Sequence, residues 1–209
     1  MLTQKERKSV DHLYLLLQWT LFSYIGFALG LASAFGISKI WVAQTGKYPS
    51  EFLLYALQGV WIGIGQWLVL REEVSNSAWW IPATSIGVLL SHIIEDHSIM
   101  MPIVRQYWIW DASNLATSTM ISAIAGSLLG IIQWVVLRQW AKYSVVWIPV
   151  QGGAKAIATL LYELFFTGAM GTMTGGILAY YGIRGSNAII SALGLIWLLR
   201  HPRANVKKE

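Results

Sequence analysis

Three residues that could do chemistry follow one another at four-residue intervals in an otherwise apolar run, WIPVQGGAKAIATLLYELF: Lys155, Thr159 and Glu163. On a helix that spacing puts an ammonium, a hydroxyl and a carboxylate on one face. Such a face could hold a small polar solute, pass an ion, or neutralise itself as a structural pair. A second run, WIPATSIGVLLSHIIEDH, places Val88, His92 and Asp96 at the corresponding positions, so two helices carry a polar stripe that turns acidic toward one end. Charge inside an apolar span is expensive and as a rule faces a cavity or a partner. Lys155 stands eight residues beyond Trp147, about 12 Å along a helix, which is too deep for its ammonium to reach the headgroups easily. Two readings stay open: a binding site formed by Lys155, Thr159, Glu163, His92 and Asp96, or an ion pair of Lys155 with Glu163, Asp96 or Glu95.

Other chemistries find less support. His92 and Asp96 share a face as a helical metal site requires, but His97 points elsewhere, and the remaining histidines are His12 and His201. An acidic patch is the expected reading, with no metal and no assigned cofactor; a pigment-ligating role for His92 or His97 is the alternative. No G-x-S-x-G, H-E-x-x-H, Walker A or strand-linked G-x-G-x-x-G motif occurs, and serine and histidine are not arranged as a triad. No catalytic residue is assigned, although an intramembrane constellation spread over several helices would escape such motifs. Cysteine is absent, which excludes disulfides and thiolate chemistry.

The elements that must position these residues are membrane helices. Of 209 residues, 56% are hydrophobic and 12% charged, against roughly 25% charged in a soluble domain. Apolar runs long enough to cross a ~30 Å hydrocarbon core recur along the chain. Spans are expected at about 13–36, 52–71, 78–97, 114–138 and 145–164, with a last one ending at Arg200. The expected fold is an all-α integral membrane protein, one domain over residues 1–209. Phe165 to Asn187 is apolar but glycine-rich, and is read as a broken or re-entrant segment before the sixth helix, which requires packed protein around it. A seven-span alternative would put the basic tail on the opposite side. With six spans, ten basic residues (Lys5, Arg7, Lys8, Arg71, Arg138, Lys142, Arg200, Arg203, Lys207, Lys208) share the side of both termini, and Lys39, Lys47, Arg105 and Arg184 lie opposite. That bias makes both termini cytoplasmic. The same placement assigns the net charge of +5 to the membrane surface rather than to nucleic acid.

The two polar stripes belong to a repeat. GQWLVLREEVSNSAWWIP from Gly65 and IQWVVLRQWAKYSVVWIP from Ile132 align without a gap, Gln66 with Gln133, Arg71 with Arg138, Trp80 with Trp147 and Pro82 with Pro149. Each copy reads as a helical hairpin with its tip in the cytoplasm and proline in the first turn of the returning helix, where a missing amide proton does no harm. The repeat units run about 52–112 and 119–183. They are expected to be parallel, related by a pseudo-twofold axis along the membrane normal. Trp67, Trp79, Trp80, Trp134, Trp140 and Trp147 are expected at the inner headgroup level. GLIWLLR, from Gly194 to Arg200, is a weaker third echo that lacks the glutamine, and LLLQW at Leu15 to Trp19 is too short to count as another.

Gln66 and Gln133 lie seven residues after Gly59 and Gly126, so each shares a face with a G-x-x-x-G pair and points into the bundle. They either hydrogen-bond across helices or join the candidate site. Gly26-x-x-x-Gly30, Gly59-x-x-x-Gly63, Gly126-x-x-x-Gly130 and Gly171-x-x-x-Gly175 allow close helix approach, inside one bundle or, alternatively, to a protein partner or a second copy.

The duplicated G-x-x-x-G-x-x-Q-W-x-V-L-R followed by W-I-P, with the terminal G-x-x-W-L-L-R, resembles a group of small, uncharacterised multi-pass membrane proteins, notably of cyanobacteria, over residues 52 to 200. The resemblance implies a bacterial inner or thylakoid-type membrane and no particular activity. A looser likeness is to the substrate-binding subunits of vitamin transporters, six-helix proteins of this size. Ala28-x-x-x-Ala32 is similar to the alanine spacing those present to their partner, while their ligand motifs are not evident. The leading function is binding or translocation of a small solute or ion; the competing one is an accessory subunit of a larger, energy-converting membrane complex.

Overall fold

The computed structural model describes the backbone of residues 4–74, 76–95, 115–165 and 173–202, and the side chains of 11–74, 76–95, 115–164 and 186–202. Its elements are α1 (Gln4–Thr45), α2 (Glu51–Glu73), α3 (Trp80–Glu95), α4 (Leu115–Leu137), α5 (Trp147–Phe165) and α6 (Met173–Leu199), with no strand among the described residues. Five helices are long and apolar enough to cross a membrane; of α6, Ser186–Leu199 forms a shorter apolar stretch. Leu13, Leu17, Leu21, Ile25 and Leu29 make an exposed stripe at four-residue spacing on α1, and Ile86, Ile124, Ile157 and Leu193 are exposed likewise. An outer surface of this kind fits hydrocarbon and not water.

Local chemistry sets the helix ends. α1 stops where Gly46 takes a left-handed φ of 68° and its amide bonds the Val42 carbonyl at 2.8 Å, a conformation glycine adopts without a Cβ penalty. Pro49 and Ser50 precede α2, whose first residue is Glu51. Single 3₁₀ turns, Ser77–Trp79 and Ser144–Val146, lead into α3 and α5, and Pro82 and Pro149 then sit in the first turn of each helix. From Met173 onward the glycine-rich stretch is continuous helix and runs unbroken into the last span. The helix is continuous across Gly175, Gly176, Gly182 and Gly185, although each glycine costs a helix about 1 kcal/mol relative to alanine. Residues 166–172, where a break was also expected, lie outside the described residues.

Each helix packs on its chain neighbours, and α6 returns to α1, so the six close into a ring. The α2–α3 and α4–α5 hairpins are adjacent in it through α3 and α4, and α6 with α1 fills the remaining third. The first three G-x-x-x-G faces are used within the chain. A Cβ on Gly59 would lie 2.6 Å from the Ser85 Cα, one on Gly63 3.0 Å from the Ile81 Cα, one on Gly126 2.5 Å from the Gln151 carbonyl oxygen, and one on Gly130 2.9 Å from the Ile148 Cα. Gly26 and Gly30 meet α2 at Trp61 and Gln58 in the same way. Glycine there lets the backbones touch. Gly171 lies outside the described residues.

The apolar core sits at the end of the ring where α2, α4 and α6 finish, built from Leu70, Leu137, Leu195 and Leu198 around three tryptophans. Trp19, Trp80 and Trp147 are fully buried and meet edge to face, with centroids 5.9 to 6.4 Å apart, the geometry aromatic quadrupoles favour. Trp140 is buried as well. A buried indole needs an acceptor for its N–H, and each of the three has one. Trp79, at 68% exposure, keeps an outward position.

Candidate functional site

Each tryptophan begins a ladder of side chains one turn apart that leads away from the core along the inside of the ring. On α1 the steps are Trp19, Ser23 and Phe27; on α3 they are Trp80, Thr84, Val88 and His92; on α5 they are Trp147, Gln151 and Lys155. Above the tryptophans these residues line a cavity of about 70 Å³ to which all six helices contribute, α2 through Gln66, α4 through Gln133 and α6 through Asn187 and Ser191. At about 30 Å³ per water it has room for roughly two waters. Most of its lining residues carry a polar group, while most of the surface they turn to the cavity is carbon.

Near its base the polar groups are locked. Trp80 Nε1 donates to Gln66 Oε1 at 2.8 Å, and Gln66 Nε2 donates to Ser23 Oγ at 3.2 Å. Trp147 Nε1 donates to Gln133 Oε1 at 2.9 Å, and Gln133 Nε2 donates to Thr84 Oγ1 at 3.0 Å. Each glutamine thus ties the indole of the following helix to the hydroxyl of the preceding one, and no donor or acceptor of the lock is stranded in the apolar core. The third indole is satisfied differently: Trp19 Nε1 donates to Ser191 Oγ at 3.1 Å, and Ser191 turns its own proton to the Ala188 carbonyl at 3.0 Å.

Higher in the cavity Lys155, 8% exposed, extends its ammonium to Glu95 Oε2 at 2.7 Å and to the hydroxyl of the fully buried Ser91. Ser122 Oγ donates to Glu95 Oε1 at 3.3 Å, and Thr159 Oγ1 donates to Ser122 at 2.8 Å. The pair, with Lys155 buried and Glu95 half-buried, is surrounded by hydroxyls from α3, α4 and α5, which help its attraction offset the desolvation of the ammonium. His92 lies beside it, stacked on Tyr55 with centroids 4.0 Å apart. Its Nδ1 is 2.9 Å from the Val88 carbonyl oxygen, an acceptor only, so that nitrogen carries the proton.

Of the residues expected at the site, Lys155, His92, Gln66 and Gln133 line this one cavity. Thr159 joins it only through Ser122 and Glu95. Glu163 is half-buried one turn beyond Thr159 and is not among the lining residues, and Asp96 lies outside the described residues. The acid that meets Lys155 is Glu95, one of the three weighed from sequence.

Sequence reasoning passed over Ser91, Gln151, Asn187 and Ser191. A signal existed for Gln151, which stands four residues before Lys155 on the same face. Gln151 is 4% exposed, and its amide makes no hydrogen bond among the described residues; the same holds for the half-buried Asn187. A buried amide without a partner forfeits a hydrogen bond that water or a ligand would restore. Among the described residues no three His, Asp or Glu side chains gather as a metal site.

Compared with known proteins, the chain matches no family model, no curated protein and no solved structure.

Proposed function

We propose that this chain is a six-span protein of a bacterial inner or thylakoid-type membrane, both termini cytoplasmic, that binds a small solute or ion in its central cavity and passes it across the bilayer. The observation that carries the reading is Gln151, a residue 4% exposed on the cavity wall, whose amide makes no hydrogen bond among the described residues. A subunit that served only to scaffold a complex would gain nothing from it. With the basic residues on the cytoplasmic side, the tryptophan cluster closes the cavity toward the cytoplasm, and the ion pair stands on the outer side. Lys155 and Glu95 set the electrostatics of the site, and His92, Gln151 and Asn187 contact the solute.

The sequence repeat has a place in this architecture. Two hairpins, α2–α3 and α4–α5, are parallel copies, and α6 with α1 is a third unit whose halves lie at opposite ends of the chain. The axis along the membrane normal is then a pseudo-threefold, with Trp19, Trp80 and Trp147 around it, and replaces the twofold that two copies alone suggest.

Purification from native membranes in mild detergent, with mass spectrometry of bound small molecules, tests the function. The expected result is a solute held by the unaltered protein and lost from Gln151→Leu, whose leucine fills the cavity with apolar carbon. A folded wild-type protein that carries no small molecule, and that leaves liposomes no more permeable to small solutes than empty ones, would overturn the reading.

A further inference from the structure

We infer that the solute is a small neutral carboxamide, held where the third unit lacks its glutamine. The inference rests on the reading of the cavity as a binding site and adds the class of ligand. Gln66 and Gln133 stand five residues before Arg71 and Arg138; five residues before Arg200 stands Leu195, wholly buried in the core. The Trp19 indole reaches one turn further along α6, to Ser191.

In the two hairpins a glutamine amide does two things at once: it accepts the indole proton of one helix and donates to the residue four places after the tryptophan of another. Those recipients are Ser23, four after Trp19, and Thr84, four after Trp80. The third recipient in the series is Gln151, four after Trp147. Ser191 is too short to reach as a glutamine does, and its proton goes to the Ala188 carbonyl. Gln151 therefore keeps both an N–H donor and a C=O acceptor for something else. Asn187, four residues before Ser191 on the same face of α6, offers the same pair of groups to the same cavity.

The protein's own chemistry says what fits such a gap, because two of its three equivalent places are filled by a primary amide. A carboxamide pairs with a side-chain amide through N–H to O=C in both directions, which a carboxylate or an ammonium ion does not. The charge balance agrees. Among the described residues the Lys155 ammonium is already met by Glu95 at 2.7 Å, so a neutral solute need not break that pair. The size sets a limit as well, since a cavity of about 70 Å³ takes a solute of a few heavy atoms at most.

The test uses the full chain in detergent, with acetamide and propionamide as probes against acetate and glycerol, all at millimolar concentration, and reads binding by saturation-transfer NMR. A ligand of four or five heavy atoms is not expected to bind tighter than micromolar. Acetamide and propionamide should bind and acetate and glycerol should not. Ser191→Gln, which supplies the missing amide, should weaken amide binding at least about tenfold while leaving the melting temperature unchanged or higher. Gln151→Leu should also abolish the signal, and serves alone if Ser191→Gln does not fold. Retained amide binding in Gln151→Leu would overturn the inference. Binding of acetate or glycerol with silent amides would overturn the ligand class and leave the cavity reading standing. No binding by any probe would overturn the inference, and together with an empty native preparation it would overturn the cavity reading too.

Discussion

The α2–α3 and α4–α5 hairpins share their frame and differ in what they carry. Both bury a glutamine against the tryptophan fourteen residues later, both bury the serine of the 3₁₀ turn, Ser77 or Ser144, to 4% exposure, and both stack an arginine over the tryptophan that follows the glutamine, at 5.8 and 5.7 Å. Two turns past the returning tryptophan they diverge, to Val88 in one and Lys155 in the other. The next positions differ again: Ser91 faces the ammonium from α3, and the matching residue of α5 is Ala158, packed at 2% exposure. Glu95 supplies the carboxylate where the second copy has Tyr162. The two hairpins thus share a frame and differ at a few positions on their inward faces.

Three measurements, all of unfolding free energy in detergent, can break or sharpen that comparison. The largest effect is expected where the hairpins differ. Lys155→Met leaves the Glu95 carboxylate without its ammonium and should destabilise by about 3 kcal/mol, and adding Glu95→Gln should recover more than half of the loss. Val88→Met, at the corresponding place, should change stability by less than about 1.5 kcal/mol. If the two single variants behave alike, the ion pair is not what separates the hairpins.

The next effect should be common to both. Gly59→Ala and Gly126→Ala push a methyl group onto the backbone of the facing helix, and each should cost about 1 to 3 kcal/mol. Gly153→Ala, with open space around it, should be neutral or stabilising by up to about 1 kcal/mol. A harmless Gly126→Ala beside a damaging Gly59→Ala would mean that the hairpins pack differently after all.

Smallest and most diagnostic are the locks. Gln66→Leu and Gln133→Leu each strand an indole N–H and should each cost about 1 to 2 kcal/mol. A difference of more than about 0.5 kcal/mol between them would argue that one glutamine does more than bind its tryptophan.

Much of this molecule could be read along the chain. An apolar excess with short polar links dictates membrane-length helices, because only internally bonded helices can cross lipid, and proline after Trp-Ile marks where α3 and α5 begin. The inward direction of Gln66, Gln133 and Lys155 followed from helical spacing and the cost of polarity in hydrocarbon. These are local or one-body properties, and sequence carries them directly. Which groups meet is a property of pairs. Trp19 lies 172 residues from Ser191, and only ring closure by α1 and α6 makes Trp19 the third member of a cluster, not an isolated echo. Lys155 had three acids within plausible reach, and among the described residues it is the packing of α3 beside α5 that brings Glu95 to its ammonium at 2.7 Å. The same geometry left Gln151 facing a cavity with no partner, because an unmade hydrogen bond depends on every neighbour at once and has no signature in the residue itself.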